Sequence, residues 1–334
     1  MDYLQTPLTT QMENPILHTE NLTIGYGRRA VQSSLCLTAY PRDLICLTGT
    51  NGTGKSTLLR TLAGLQRPLS GTIAIKGEPL HGINKKERAK LFSLVLTERI
   101  DIDNLTVHDL VAYGRFPYTG WGGGLSCEDE KIIDTALAHV NLTHKKHCMA
   151  NEISDGEKQR AVIAKALAQD TPIVLLDEPT AHLDLPNRIE IMLLLRRLSV
   201  NTGKTFILST HELDLALQTA DKIWLFSGSG MECGIPEDLM LSGKFQQAFG
   251  SDKFLFDEED GHCKVNHIMG DLTVNVTGER LPSVWLSRAL NRCGINIDAG
   301  AETTITAASP DRFEYRGKTF GSIESVIRHI LYNT

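Results

Sequence analysis

The sequence predicts an α/β protein: a parallel-sheet core with an inserted helical subdomain, followed by a small second α/β domain. The apolar runs in "LICLTGT", "TPIVLLDEPT" and "KTFILSTHE" are unbroken and end abruptly, as strands buried on both faces of a parallel sheet do. Stretches of helical spacing separate them, so strands and helices alternate. Beyond about residue 264 the texture changes to short alternating segments set between amphipathic stretches, which marks a second unit.

In chain order, "LICLTGTNGTGKSTLLRTLAGL" reads as strand, glycine-rich turn and helix. The stretch before the next strand is mostly helical. "SCEDEKIIDTALAHV" places Ile132, Ile133, Ala136, Leu137 and Val140 on one face, with Ser126 and Asp129 as a cap, and "GEKQRAVIAKALAQ" does the same with Val162, Ile163, Ala166 and Leu167. "TPIVLLDEPT" and "KTFILSTHE" supply two further strands. In the tail, "DLTVNVT", "LPSVWLSRALNRCG", "ETTITAAS", "RFEYRG" and "SIESVIRHIL" read as a β-α-β-β-α unit, with Val284, Trp285, Leu286, Leu290, Val326, Ile327 and Ile330 as its expected core. The expected boundaries are 14–264 for the first domain, with the helical subdomain at about 92–170, and 265–334 for an accessory domain, regulatory or dimer-supporting.

Composition narrows the function. A net charge of −6 argues against a nucleic-acid surface spread over the molecule. Seven cysteines, an odd number with no C-x-x-C pair, read as reduced thiols. The first residues show neither a basic nor an apolar export region, and no apolar run reaches the roughly 18 residues of a membrane span. Work at a membrane would need another chain to hold this one there.

Gly49 to Ser56 fits G-x-x-x-x-G-K-[ST] between a strand and a helix, the context in which that loop cradles phosphates. Gly52 and Gly54 let the backbone wrap with its N–H groups inward, Lys55 is a point charge for the β- and γ-phosphates, and Ser56 offers a hydroxyl to Mg²⁺. Gly49, Asn51, Gly52, Gly54, Lys55, Ser56 and Thr57 are the candidate nucleotide-binding positions of this loop. Asp177, at the end of an apolar strand, suits the second Mg²⁺ support. Glu178 follows it and can polarise the attacking water, and His211 in "STHELDLAL" can reach the γ-phosphate. "ISDGEKQR" sets a question: Ser154 and Glu157 form a capping box, yet a helix start is also a seat for an anion.

The series "GTNGTGKST", "ISDGEKQR", "IVLLDEPTAHLD" and "LSTH" resembles the ATPase subunits of ABC transporters over about residues 14 to 260. The resemblance implies a P-loop NTPase core of the ABC ATPase type that takes ATP and Mg²⁺. It makes "ISDGEKQR" the signature motif, with Ser154 and Gly156 facing the γ-phosphate held by a second copy of the chain. The capping and signature readings are compatible. Tyr26 resembles the aromatic that stacks on adenine, and Asp184 the aspartate that couples the two sites of an ATP-sandwich dimer. The family usually has glutamine where this chain has Thr97, with Glu98 next, so these two are the candidates for metal contact at that loop.

"LVAYGRFPYTGWGGG" resembles the same region of importer ATPases for iron-siderophore, haem and cobalamin uptake. This implies docking to integral membrane permease subunits through Phe116, Tyr118 and Trp121, indirect work with a solute-binding protein, and a peripheral place on the cytoplasmic face of the bacterial inner membrane. The alternatives are a soluble ABC ATPase not coupled to transport and an ATP-binding regulatory protein. Glu178 and His211 argue against the latter.

Overall fold

The computed structural model describes residues 14–97, 104–119, 124–227, 230–250, 254–256 and 263–332. The chain divides into two compact units, the first running to Gly250 and the second carrying the chain from Cys263 onward.

The first unit is built on a six-stranded sheet in the order Gly230–Gly234, Lys222–Ser227, Leu44–Thr48, Thr205–Ser209, Ile173–Asp177, Phe92–Val95. Only the hairpin pair at the first edge is antiparallel. Every residue of Leu44–Thr48, Ile173–Asp177 and Thr205–Ser209 is buried, which is why these segments are apolar without alternation. Parallel strands bring their carboxyl ends to one rim, where α/β proteins bind ligands. On that rim stand the residues that follow Thr48, Val95, Asp177 and Ser209.

A second, antiparallel sheet pairs Arg29–Leu35, Leu17–Tyr26, Ser70–Ile75 and Glu78–Pro79, with Thr38–Ala39 beside Leu17–Tyr26. Leu17, Leu22, Ile24, Ile73 and Ile75 from this sheet join Ile45, Leu47, Ile173 and Ile207 in one core, together with Leu58 and Leu62 of the helix Lys55–Leu62. Each such fully buried side chain contributes about 1.5–3 kcal/mol, so the phosphate loop before that helix rests on a rigid base.

The inserted helices Val107–Ala112, Cys127–His139 and Asp155–Ala168 pack on one another. Each starts on a complete capping box, at Thr106 with Asp109, Ser126 with Asp129, and Ser154 with Glu157. Phe92–Val95 belongs to the core sheet, paired with Ile173–Asp177. The first of the inserted helices begins beyond this strand, at Val107.

The second unit holds a sheet in the order Asn296–Ile297, Thr273–Gly278, Thr304–Ser309, Arg312–Tyr315, Lys318–Phe320, with helices Arg280–Arg292 and Ile323–Tyr332. Leu286, Leu290, Val326 and Ile330 are in its core, together with Val274, Ile305, Phe313 and Tyr315, and Ile327 packs against them. Val284 and Trp285 are not core: they are 42% and 53% exposed. The buried face of their helix runs through Pro282, Leu286, Ala289 and Leu290, which turns positions 284 and 285 outward. Among the described residues no helix is long and apolar enough to cross a membrane.

Candidate functional site

The phosphate loop leaves the buried Leu44–Thr48 strand and enters the Lys55–Leu62 helix. Gly54 caps that helix at φ 106°, and a Cβ there would meet the Val31 side chain at 2.7 Å, so only glycine fits. Lys55 is 6% exposed and its ammonium curls back into the loop, donating to the carbonyl oxygens of Gly49 at 2.9 Å and Thr50 at 3.2 Å. Burial pushes this ammonium below the ordinary lysine value, while Glu178 and Asp177 pull the other way. The charge is thus held ready for an anion with little water around it.

The rim brings Ser56, Asp177, Glu178 and His211 to the same place. Ser56 Oγ donates to Asp177 Oδ1 at 3.0 Å, joining the helix start to the end of the Ile173–Asp177 strand. Two hard oxygen ligands at that separation, one of them a carboxylate, fit a small divalent cation such as Mg²⁺. Glu178 stands just beyond the strand at φ 51°. His211 Nε2 lies 3.0 Å from Glu178 Oε1, and both side chains are partly open to solvent. A carboxylate oriented by an imidazole beside a phosphate cradle can take a proton from water.

Tyr26, 56% exposed, reaches the loop through its hydroxyl, 3.0 Å from Thr57 Oγ1. Asn51 and Gly52 are exposed at the loop tip. Thr97 follows the Phe92–Val95 strand and donates its hydroxyl proton to the carbonyl oxygen of Asp177 at 2.8 Å. Glu98 and Trp121 lie outside the described residues.

Ser154, Gly156 and Asp184 form a second group. Ser154 caps its helix: it accepts the Glu157 N–H at 3.3 Å while its own N–H donates to Glu157 Oε2 at 2.9 Å. That backbone donor holds the Glu157 carboxyl below its usual range. Asp184 caps the Leu185–Thr202 helix and accepts from both the N–H and the Nδ2 of Asn187, at 3.1 and 2.7 Å. Asn187 Oδ1 lies 2.2 Å from where a Cβ on Gly156 would be, so a side chain there would displace the Asn187 amide. Phe116 is 77% exposed, whereas Tyr118 lies over the Arg115 guanidinium at 4.0 Å.

Sequence reasoning missed Ser209 and Asn187. Ser209 is fully buried, donates to Asp177 Oδ1 at 2.7 Å and accepts the Glu178 N–H at 2.8 Å. Its only sequence signal is a hydroxyl at the end of an apolar strand, two residues before His211.

Residues 33–181 match the family model described as ABC transporter. An ABC transporter ATP-binding protein of Methanocaldococcus jannaschii is 40% identical over 67% of this chain and 78% of its own length. The chain belongs to the ABC transporter ATP-binding family. Residues 271–331 of this ABC ATPase match a second model, the iron ABC transporter C-terminal domain. The iron(3+)-hydroxamate import ATP-binding protein of Bacillus subtilis is 36% identical over 71% of the chain and 88% of that protein. CbiO1 from Clostridium perfringens, part of the ABC transporter complex CbiONQ, has the same fold with a TM-score of 0.62 at 27% identity, over 70% of this chain and 93% of that one. As a member of this family the chain binds and hydrolyses ATP.

Proposed function

We propose that this ABC ATPase powers a bacterial importer for iron-siderophore, haem or cobalamin-type metal complexes, as two copies that close over ATP at the cytoplasmic face of the inner membrane. The observation that carries the reading is the convergence of Lys55, Ser56, Asp177, Glu178 and His211 on one rim of the parallel sheet. The cargo class is supported by the match of residues 271–331 to the iron transporter domain and by the hydroxamate importer relative.

Lys55 and the loop N–H groups bind the β- and γ-phosphates, and Tyr26 stacks on adenine. Ser56 and Asp177 would hold Mg²⁺, which would supply charge neutralisation to the bound nucleotide. Glu178 takes the proton of the water that attacks the γ-phosphorus, and His211 holds that carboxylate in place. Ser154 and Gly156 meet the γ-phosphate of the partner copy, and Asp184 couples the two sites. Closure and reopening pass to permease subunits docked around Phe116, Tyr118 and Trp121, and through them to a solute-binding protein.

The test is co-purification from membranes with a permease, then ATP-driven uptake of a ferric siderophore into vesicles holding that complex. Glu178→Gln should keep ATP binding and an ATP-dependent dimer yet lose uptake and at least about a hundredfold in turnover. Wild-type turnover in that variant, or a complex that lacks any permease, refutes the reading.

A further inference from the structure

The Ile173–Asp177 strand lies between Phe92–Val95 and Thr205–Ser209. Its ladder ends at the pair Leu176 with Val95 on one side and Asp177 with Ser209 on the other. The peptide that joins Asp177 to Glu178 is therefore at the limit of the sheet, where its carbonyl oxygen and N–H need partners from outside the regular ladder. Each finds a hydroxyl. Thr97 Oγ1 donates to the Asp177 carbonyl at 2.8 Å, and Ser209 Oγ accepts the Glu178 N–H at 2.8 Å. Ser209 then gives its own proton to Asp177 Oδ1 at 2.7 Å.

This one peptide plane carries the two carboxylates of the site, one at each end. Its rotation changes ψ of Asp177 and φ of Glu178 together. Glu178 stands at φ 51°, a left-handed conformation that costs a residue with a Cβ. Rotation of the plane away from this setting would relieve that cost and loosen the backbone that carries Glu178 beside His211. Hydroxyls on both polar atoms of the plane oppose that rotation, and the burial of Ser209 keeps water from taking its place.

We propose that Thr97 and Ser209 are positioning residues that clamp the Asp177–Glu178 peptide from its two neighbouring strands, fixing the metal-holding carboxylate and the proton acceptor in one geometry. This rests on the roles given above to Asp177 and Glu178. It also assigns the Thr97 hydroxyl proton to the backbone of the site.

The experiment uses the full chain with Thr97→Val, Thr97→Ser and Ser209→Ala. Thr97→Val and Ser209→Ala should each lower kcat about tenfold, the amount that one hydrogen bond controls, with KM for ATP within about twofold because the phosphate loop is untouched. The double variant should fall little further, since one released end already frees the plane. Thr97→Ser should retain kcat. A second readout needs no turnover: in a Glu178→Gln background with ATP bound, Mn²⁺ affinity by electron paramagnetic resonance should drop about tenfold in Ser209→Ala, which also loses a donor to the carboxylate. If Ser209→Ala does not fold, the Val and Ser variants at the half-buried Thr97 decide the matter alone. Full turnover in Thr97→Val, or equal loss in Thr97→Ser, overturns the clamp. Wild-type turnover in Glu178→Gln removes the site reading beneath it, whereas an inactive Glu178→Gln beside fully active Thr97→Val and Ser209→Ala removes the clamp only.

Discussion

Replacing Asp129 by asparagine tests a carboxylate of the helical insertion that accepts three hydrogen bonds. Asp129 Oδ2 accepts from the Ser126 N–H at 2.9 Å and the Ser126 hydroxyl at 2.7 Å, while Oδ1 accepts Arg115 Nε at 2.7 Å. Arg115 and Asp129 are 5% and 8% exposed, and the guanidinium also donates to the Ala168 carbonyl at 2.8 Å. The Ser126 hydrogen bonds, with Arg115 after them, hold the carboxyl down to about 2 from the usual 3.8. That depression corresponds to roughly 2 kcal/mol of stability, reduced by solvent at the edge of the pair to about 1–2 kcal/mol. Leaving the buried guanidinium without its anion costs up to about 3 kcal/mol more in the worst geometry, but the Ala168 carbonyl remains, so we expect a loss of about 2 kcal/mol in total. Urea unfolding of both proteins near pH 7 measures it as a midpoint shift. The sign with pH follows from a folded pKa below the unfolded one. The advantage of the wild type is complete above about pH 4 and fades as the pH falls toward about 2. A gap under about 0.5 kcal/mol at neutral pH, or one already gone at about pH 5, refutes the assignment of that energy to the carboxylate.

Ser154→Arg should prevent ATP-dependent dimer closure, seen by light scattering, while ATP still binds each chain at its own phosphate loop; unimpaired dimerisation would leave Ser154 as the helix cap alone. Phe116→Ala removes an exposed ring and should weaken co-purification with the permease at least about tenfold without changing ATP affinity; equal retention would remove Phe116 from the docking surface. A chain ending at Gly250, the end of the first compact unit's continuous stretch, should keep ATP binding and basal hydrolysis. Loss of ATP binding in a truncated chain that remains folded would place the C-terminal unit in the active site.

The phosphate loop was legible because its function is local. A strand, a wrapping turn and a helix start lie within one short stretch, and the residue types follow from the phosphate alone. The capping boxes at Ser126 and Ser154 were legible for the same reason, since each closes over three residues. The N-terminal sheet was not: Leu17–Tyr26 is bulged against both of its long partners, so its burial does not alternate and no period of two survives in "LHTENLTIGY". Trp285 misled in the opposite direction. A large apolar side chain in a helical stretch suggests core, but the helix has only one face to bury, and Leu286 and Leu290 already define it.

The partners of the Asp177–Glu178 peptide lie 80 and 31 positions away in the chain, and no local spacing pairs Thr97 or Ser209 with that peptide. The sheet order brings them together. A hydroxyl at the end of a parallel strand has a meaning only once the neighbouring strand is known, because it answers an orphaned backbone group of that neighbour. The same logic applies to Thr97, beside the end of the Ile173–Asp177 strand. The family's glutamine at that position implies metal contact, and in the structure the Thr97 hydroxyl proton goes to the backbone carbonyl of Asp177. Chemistry that contacts the nucleotide is written as local motifs in this chain, and the groups that hold that chemistry in place are written in the order of its strands.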